Sequence, residues 1–140
     1  MLSQTSMYAI QALAYLVEHR DEEPILARRI GEATGIPGNY LSKLMHALGT
    51  SGILSAERGK HGGYRFARDP ASVRLMEVVN LFQHTAQFKQ CILGRPVCSD
   101  DHPCRIHDRW KPVSEAMVRF LEETTLADMK TAKVPEFVTV

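Results

Sequence analysis

Apolar residues recur at helical spacing from the start of the chain. Met7, Ile10, Leu13, Ala14 and Val17 share one face, which predicts an amphipathic helix over roughly residues 3–19. The charged run from Glu18 to Glu23 ends it. After Pro24, the positions Leu26, Ile30 and Ala33 follow at steps of four and three, and Gly35 suits a left-handed closing residue. Pro37 can occupy a first helical turn, where its missing N–H costs nothing. Leu41, Leu44, Met45 and Leu48 then form a stripe that leaves Asn39, Ser42, Lys43 and His46 on the opposite face.

Two short helices joined by a turn containing Gly35 and Pro37 make a helix-turn-helix pattern. The next segment strengthens it. A break from Gly49 to Gly52 precedes a strand at Ile53–Ala56, and Tyr64–Phe66 reads as the returning strand. Between them lies Arg58-Gly59-Lys60-His61-Gly62-Gly63, whose glycines permit a tight hairpin that can approach another surface closely. Residues 73–82 are again helical by the spacing of Val73, Met76, Val79 and Phe82, with Ser72 as the expected N-cap.

From about Thr85 to His107 no period is sustained. Ile106, Trp110, Val113, Met117, Phe120 and Thr124 then recur at steps of three and four, a stripe suited to a long helix that packs on a partner. Pro112 places the start of that helix near Trp110 or kinks it there. Thr125 and Asp128 resemble a capping pair for a short final helix, and the last residues look like a tail. The expected fold is mainly α with a small β-wing: a winged helix-turn-helix plus a long C-terminal dimerisation helix. The expected division is 1–84 for DNA binding, 85–107 for a cysteine-containing sensor loop, and 108–140 for the dimerisation helix and tail.

Seventeen basic and sixteen acidic side chains give a net charge of +1, so a nucleic-acid partner has to be argued from local charge. Between Pro37 and Arg68 that charge is present: Lys43, Arg58, Lys60, Arg65 and Arg68 oppose only Glu57. Asn39, Tyr40, Ser42 and Lys43 sit where a recognition helix meets base edges. Arg58, Lys60, His61 and Arg65 belong to the wing, whose arginine suits the negative potential of a minor groove. The plain alternative is a solvated helix face. The basic, glycine-rich wing favours DNA, since a structural hairpin requires neither feature.

The N-terminus lacks the pattern of a signal peptide, and no apolar run approaches the roughly 20 residues of a membrane span. A cytoplasmic protein without membrane contact is expected. In that reducing compartment Cys91, Cys98 and Cys104 are poor candidates for a structural disulfide set. They lie within fourteen residues, spaced Cys-x(6)-Cys-x(5)-Cys, in a loop with Gly94, Pro96 and Pro103. Thiolates are preferred ligands of iron–sulfur clusters and of zinc. His107 is the nearest fourth ligand, with His102, Asp100, Asp101 or a group from a partner subunit as alternatives. Buried or redox-active thiols are the other reading of the triplet.

The combination of TSMYAIQALAYL, IGEATGIPGNYLSKLMHALGTSGIL, ERGKHGGYRFAR, the cysteine triplet and TTLADM resembles the IscR/NsrR/RirA-type (Rrf2) family of bacterial winged-helix regulators. The likeness covers nearly the whole chain, and RGKHGGY followed by the cysteines is its most specific part. It implies a homodimer built on the long C-terminal helix and bound to an imperfectly palindromic operator in double-stranded DNA. It also implies an iron–sulfur cluster, 2Fe–2S or 4Fe–4S, that controls DNA affinity in response to iron, cluster supply, nitric oxide or redox state. Carried over by position, Cys91, Cys98 and Cys104 are cluster ligands, and His107 matches the histidine that completes the set in the IscR-like branch. Tyr8 stands near a position from which some NsrR-like members supply a carboxylate to the other subunit.

The expected function is therefore a DNA-binding transcription regulator, a repressor in the first instance. The same regulator with zinc or thiol–disulfide sensing is the alternative. An enzyme or electron carrier is disfavoured, because no Ser/His/Asp constellation, phosphate loop or paired-carboxylate site is legible.

Overall fold

The computed structural model describes residues 1–130. The expected tail and the end of the 108–140 segment lie outside the described residues. Five α-helices and one hairpin carry the fold: α1 (Gln4–Glu18), α2 (Ala27–Thr34), α3 (Gly38–Thr50), β1 (Leu54–Glu57), β2 (Gly63–Phe66), α4 (Leu75–Asn80) and α5 (His107–Glu123). It is the expected mainly helical architecture with a small wing.

Helix α1 starts because the Ser3 side chain accepts from Ser6 N–H, and it buries Ala9, Ala12, Leu13, Leu16 and Val17. Gly35 closes α2 at φ 73°, as its position suggested. Pro37 is the cap residue before α3 rather than a helical one, and α3 runs through Gly49 to Thr50. The expected break at Gly49 is therefore late: Gly52, at φ 85°, makes the turn into β1.

β1 and β2 pair antiparallel from Leu54 opposite Phe66 to Glu57 opposite Gly63. A third segment completes the wing's base. Ile25 N–H donates to the Tyr64 carbonyl at 2.9 Å and Tyr64 N–H donates back to the Ile25 carbonyl at 2.8 Å. Two glycines of the wing have local reasons to be there. A Cβ on Gly63, which has φ 145°, would overlap the Ile25 carbonyl, and one on Gly62 would overlap the Glu57 carbonyl. The hairpin's own packing therefore requires two of the glycines expected to permit a tight turn and close approach to another surface.

The helix expected over 73–82 is shorter, and Ser72 is not its cap. Val73 and Arg74 are drawn into extended pairing: Leu75 N–H donates to the Thr124 carbonyl and Leu126 N–H to the Val73 carbonyl. Asp69 instead caps the preceding turn through Ala71 N–H at 3.0 Å. Non-local backbone bonds have taken the first turn of the expected helix.

α5 begins at His107, before Trp110, and continues through Pro112, its sixth residue. The reciprocal Thr125–Asp128 pair forms, with Thr125 N–H donating to Asp128 Oδ2 at 2.8 Å and Asp128 N–H to Thr125 Oγ1 at 3.3 Å. One hydrophobic core joins α1, α3 and α4 to Phe88, Val118, Leu121 and Leu126. On α5 the core takes the Ser114, Val118 and Leu121 side, while Val113 and Phe120, and Ile106 just before the helix, remain exposed.

Candidate nucleic-acid interface and cysteine site

On α3 the residues Leu41, Leu44, Met45 and Leu48 are buried, which forces Asn39, Ser42, Lys43 and His46 to solvent. Tyr40 is 44% exposed, and its ring meets Tyr8 of α1 edge-on at 5.6 Å between centroids. Part of Tyr40 is thus committed to bracing α3 against α1. At the wing tip Arg58, Lys60 and His61 are exposed. Among the described residues, Lys43, Arg58 and Lys60 have no carboxylate partner, unlike the other two bases of this segment.

Arg65 Nε lies 2.6 Å from Glu57 Oε1. The contact is poorly aligned, and this buried N–H has no hydrogen-bond acceptor among the described residues. Arg68 is bound to Glu77 and donates to the Ser72 carbonyl, tying the wing to α4. Neither pairing was legible, because Glu57 and Glu77 meet their arginines only after the hairpin closes and α4 packs.

The cysteine segment folds back on the start of α5. A short 3-10 helix, Thr85–Lys89, buries Phe88 and puts the Phe88 carbonyl against the Ser114 hydroxyl. Trp110 Nε1–H donates to the Gln90 carbonyl at 3.0 Å, so one side of the loop is fastened to α5. Gly94 at φ 89° and the Cys91–Arg95 backbone bond close its first turn. The Ser99 hydroxyl oxygen accepts from Asp101 and His102 N–H and shapes the second.

This folding brings His107 within 3.3 Å of Cys98 Sγ through Nδ1, while its Nε2 meets Asp100 Oδ1 at 2.8 Å. Lys111 binds both oxygens of Asp100, at 2.8 and 2.7 Å. Cys91 is buried; a backbone bond at Leu93, followed by a hydrogen bond from the Cys104 thiol, lowers its pKa. Burial, and then the charges of Cys91 and Cys104, raise that of Cys98. The Lys111 ammonium and His107 hold the Asp100 carboxyl below its ordinary range.

All four predicted ligands therefore belong to one small region. Among the described residues, no three His, Cys, Asp or Glu side chains already surround a single metal position. What fits is the donor chemistry: three thiols and an imidazole nitrogen turned toward one of them. Of the alternative ligands, Asp100 faces the far nitrogen of His107. The backbone carbonyl of His102 accepts from Arg95. The Asp100–Lys111 link was missed, since a separation of eleven residues carries no spacing signal.

A helix-turn-helix followed by a wing, with an uncompensated basic tip, defines a DNA-binding transcription regulator. The chain matches the Rrf2 family, described as Iron-dependent Transcriptional regulator, over residues 2–132. It belongs to that family. It is 30% identical over 131 residues to an Aquifex aeolicus protein assigned as an HTH-type transcriptional regulator, covering 92% of this chain and 90% of the relative. It is 29% identical over 128 residues to the HTH-type transcriptional regulator IscR of Xenorhabdus nematophila, covering 91% and 77%. The solved structure of T. potens IscR superposes with a TM-score of 0.69 at 26% identity, covering 92% of this chain and 85% of that one. These relatives are regulators rather than enzymes. No helix among the described residues is long and apolar enough to cross a membrane.

Proposed function

We propose that this protein is a cytoplasmic homodimeric repressor whose affinity for an imperfectly palindromic operator is set by an iron–sulfur cluster held in the 85–107 loop. The observation that carries the reading is the fastening of that loop to the first turns of α5: His107 contacts Cys98 there, and Trp110 holds the Gln90 carbonyl. Likeness to IscR over 91% of the chain supports it. Cys91, Cys98, Cys104 and His107 would hold the cluster. When bound, it supplies a centre that small oxidants, nitric oxide or iron shortage can alter or remove.

Residues 1–84 read DNA in this proposal. Asn39, Tyr40, Ser42 and Lys43 face base edges in the major groove, while Arg58, Lys60, His61 and Arg65 follow the backbone and the adjacent minor groove. The segment 108–140 joins the two subunits through the exposed Val113 and Phe120 side of α5, with Ile106 just before the helix beside it. A change in the loop is then passed to the dimer helix, and so to the spacing of two reading heads about 34–36 Å apart.

The test is anaerobic purification with iron and sulfide analysis, followed by operator selection with cluster-loaded and cluster-free protein. Bound iron and sulfide with at least a tenfold difference in affinity between the two forms is expected. Equal affinity for every selected operator would sink the sensing reading, and absence of iron and sulfide would sink the cluster.

A further inference from the structure

His107, Lys111 and Glu115 are spaced four residues apart, so they form one row along α5. The row is linked through a residue of the cysteine loop. His107 Nε2 meets Asp100 Oδ1 at 2.8 Å, Lys111 Nζ binds both Asp100 oxygens, and Glu115 Oε1 lies 3.8 Å from Lys111 Nζ. The imidazole at the head of the row is 7% exposed, whereas the carboxylate is 67% exposed. An exposed aspartate with no anchor would swing freely and hold nothing. Lys111 fixes this one from the helix that also carries His107.

An ionised carboxylate only accepts hydrogen bonds, so the nitrogen facing it carries the proton. In the neutral imidazole the other nitrogen is then a bare acceptor, and that nitrogen is Nδ1, which faces Cys98 Sγ at 3.3 Å. We propose that Asp100, anchored by Lys111, is the positioning residue that turns Nδ1 of His107 toward the thiols as the nitrogen available to a metal centre. The inference rests on reading the cysteine loop as a cluster site. It adds that the histidine is oriented before any metal arrives, and that the orienting group is tied to α5 rather than to the loop alone. Carboxylate–histidine pairs of this kind fix the ring and tautomer of a ligand, and losing the outer partner costs metal sites about 10–100-fold in affinity.

The experiment uses the full chain, prepared anaerobically, with the variants Asp100→Ala, Asp100→Glu and Lys111→Met. In the wild type, pulsed electron paramagnetic resonance of the reduced cluster should show coupling to a histidine nitrogen. Asp100→Ala should release iron to a chelator about tenfold faster and should alter or abolish that coupling. Asp100→Glu should restore both, and Lys111→Met should fall between. Circular dichroism of each variant separates loss of orientation from loss of fold.

Metal-free protein supplies an independent readout. Nitrogen-15 spectra should show His107 protonated at Nε2 in the wild type and as a mixture of tautomers in Asp100→Ala. A wild type without iron and sulfide overturns the cluster reading and leaves the tautomer to decide the role of Asp100. Protonation at Nδ1 in the wild type, or unchanged release and coupling in Asp100→Ala, overturns the inference itself.

Discussion

At the scale of single residues, charge and backbone space decide what the wing can do. Glu57 is the one acidic side chain of the segment from Pro37 to Arg68, and it lies against Arg65. In the proposed DNA complex it would hold back a cation that could otherwise meet phosphate, and would add a negative charge beside the duplex. Glu57→Gln should raise affinity for random-sequence DNA about threefold at low salt and steepen the dependence of log Kd on log salt by about one. Titration at several salt concentrations checks this, and an unchanged slope would show that Arg65 already reaches phosphate. Gly63 is a matter of space rather than charge. At φ 145°, with the Ile25 carbonyl where a Cβ would go, Gly63→Ala should cost about 2–3 kcal/mol. The thermal midpoint followed by circular dichroism should fall by about 5–10 °C.

Among the elements, α5 presents two chemically different sides. Ser114, Val118 and Leu121 pack inward, and Val113 and Phe120, 56% and 55% exposed, leave a neighbouring apolar stripe uncovered. Exposing such side chains to water costs about 25 cal/mol per Å2 of apolar surface, so a second copy of the stripe is a favourable cover. Val113→Glu with Phe120→Glu should place charges in that contact and weaken dimerisation at least tenfold, leaving the far-ultraviolet spectrum near wild type. Sedimentation equilibrium reads the first effect, and a dimer as tight as before would place the subunit contact elsewhere.

For the whole molecule, one core joins α1 and α3 to Phe88 of the 85–107 segment and to Val118 and Leu121, so the start of that segment and α3 belong to one packed body. If cluster loss acts by changing how two heads are spaced, its effect should depend on having two half-sites. Removing the cluster with a chelator should change affinity for a full palindrome at least tenfold, and for an isolated half-site less than about threefold. Fluorescence anisotropy with the two duplexes separates these outcomes. Equal changes on both would place the switch within one subunit, where the Tyr8–Tyr40 contact links α1 to α3.

The sequence alone determined what depends on local periodicity and local chemistry. Apolar spacing named α1, α2, α3 and α5, the glycine at Gly35 closed α2, and Thr125 with Asp128 marked the final turn, because each feature acts within a few residues of itself. The basic wing and the cysteine triplet were legible for the same reason, since composition in a short window survives without a fold. Tertiary structure decided whatever needs a distant partner. Val73 and Arg74 left the expected helix because Thr124 to Leu126 offered them backbone bonds. Arg65 and Arg68 lost their freedom to acids on other elements. Asp100 became the partner of His107 only when the loop closed onto α5, since a row spaced by four can be read from a sequence but the carboxylate that meets it cannot.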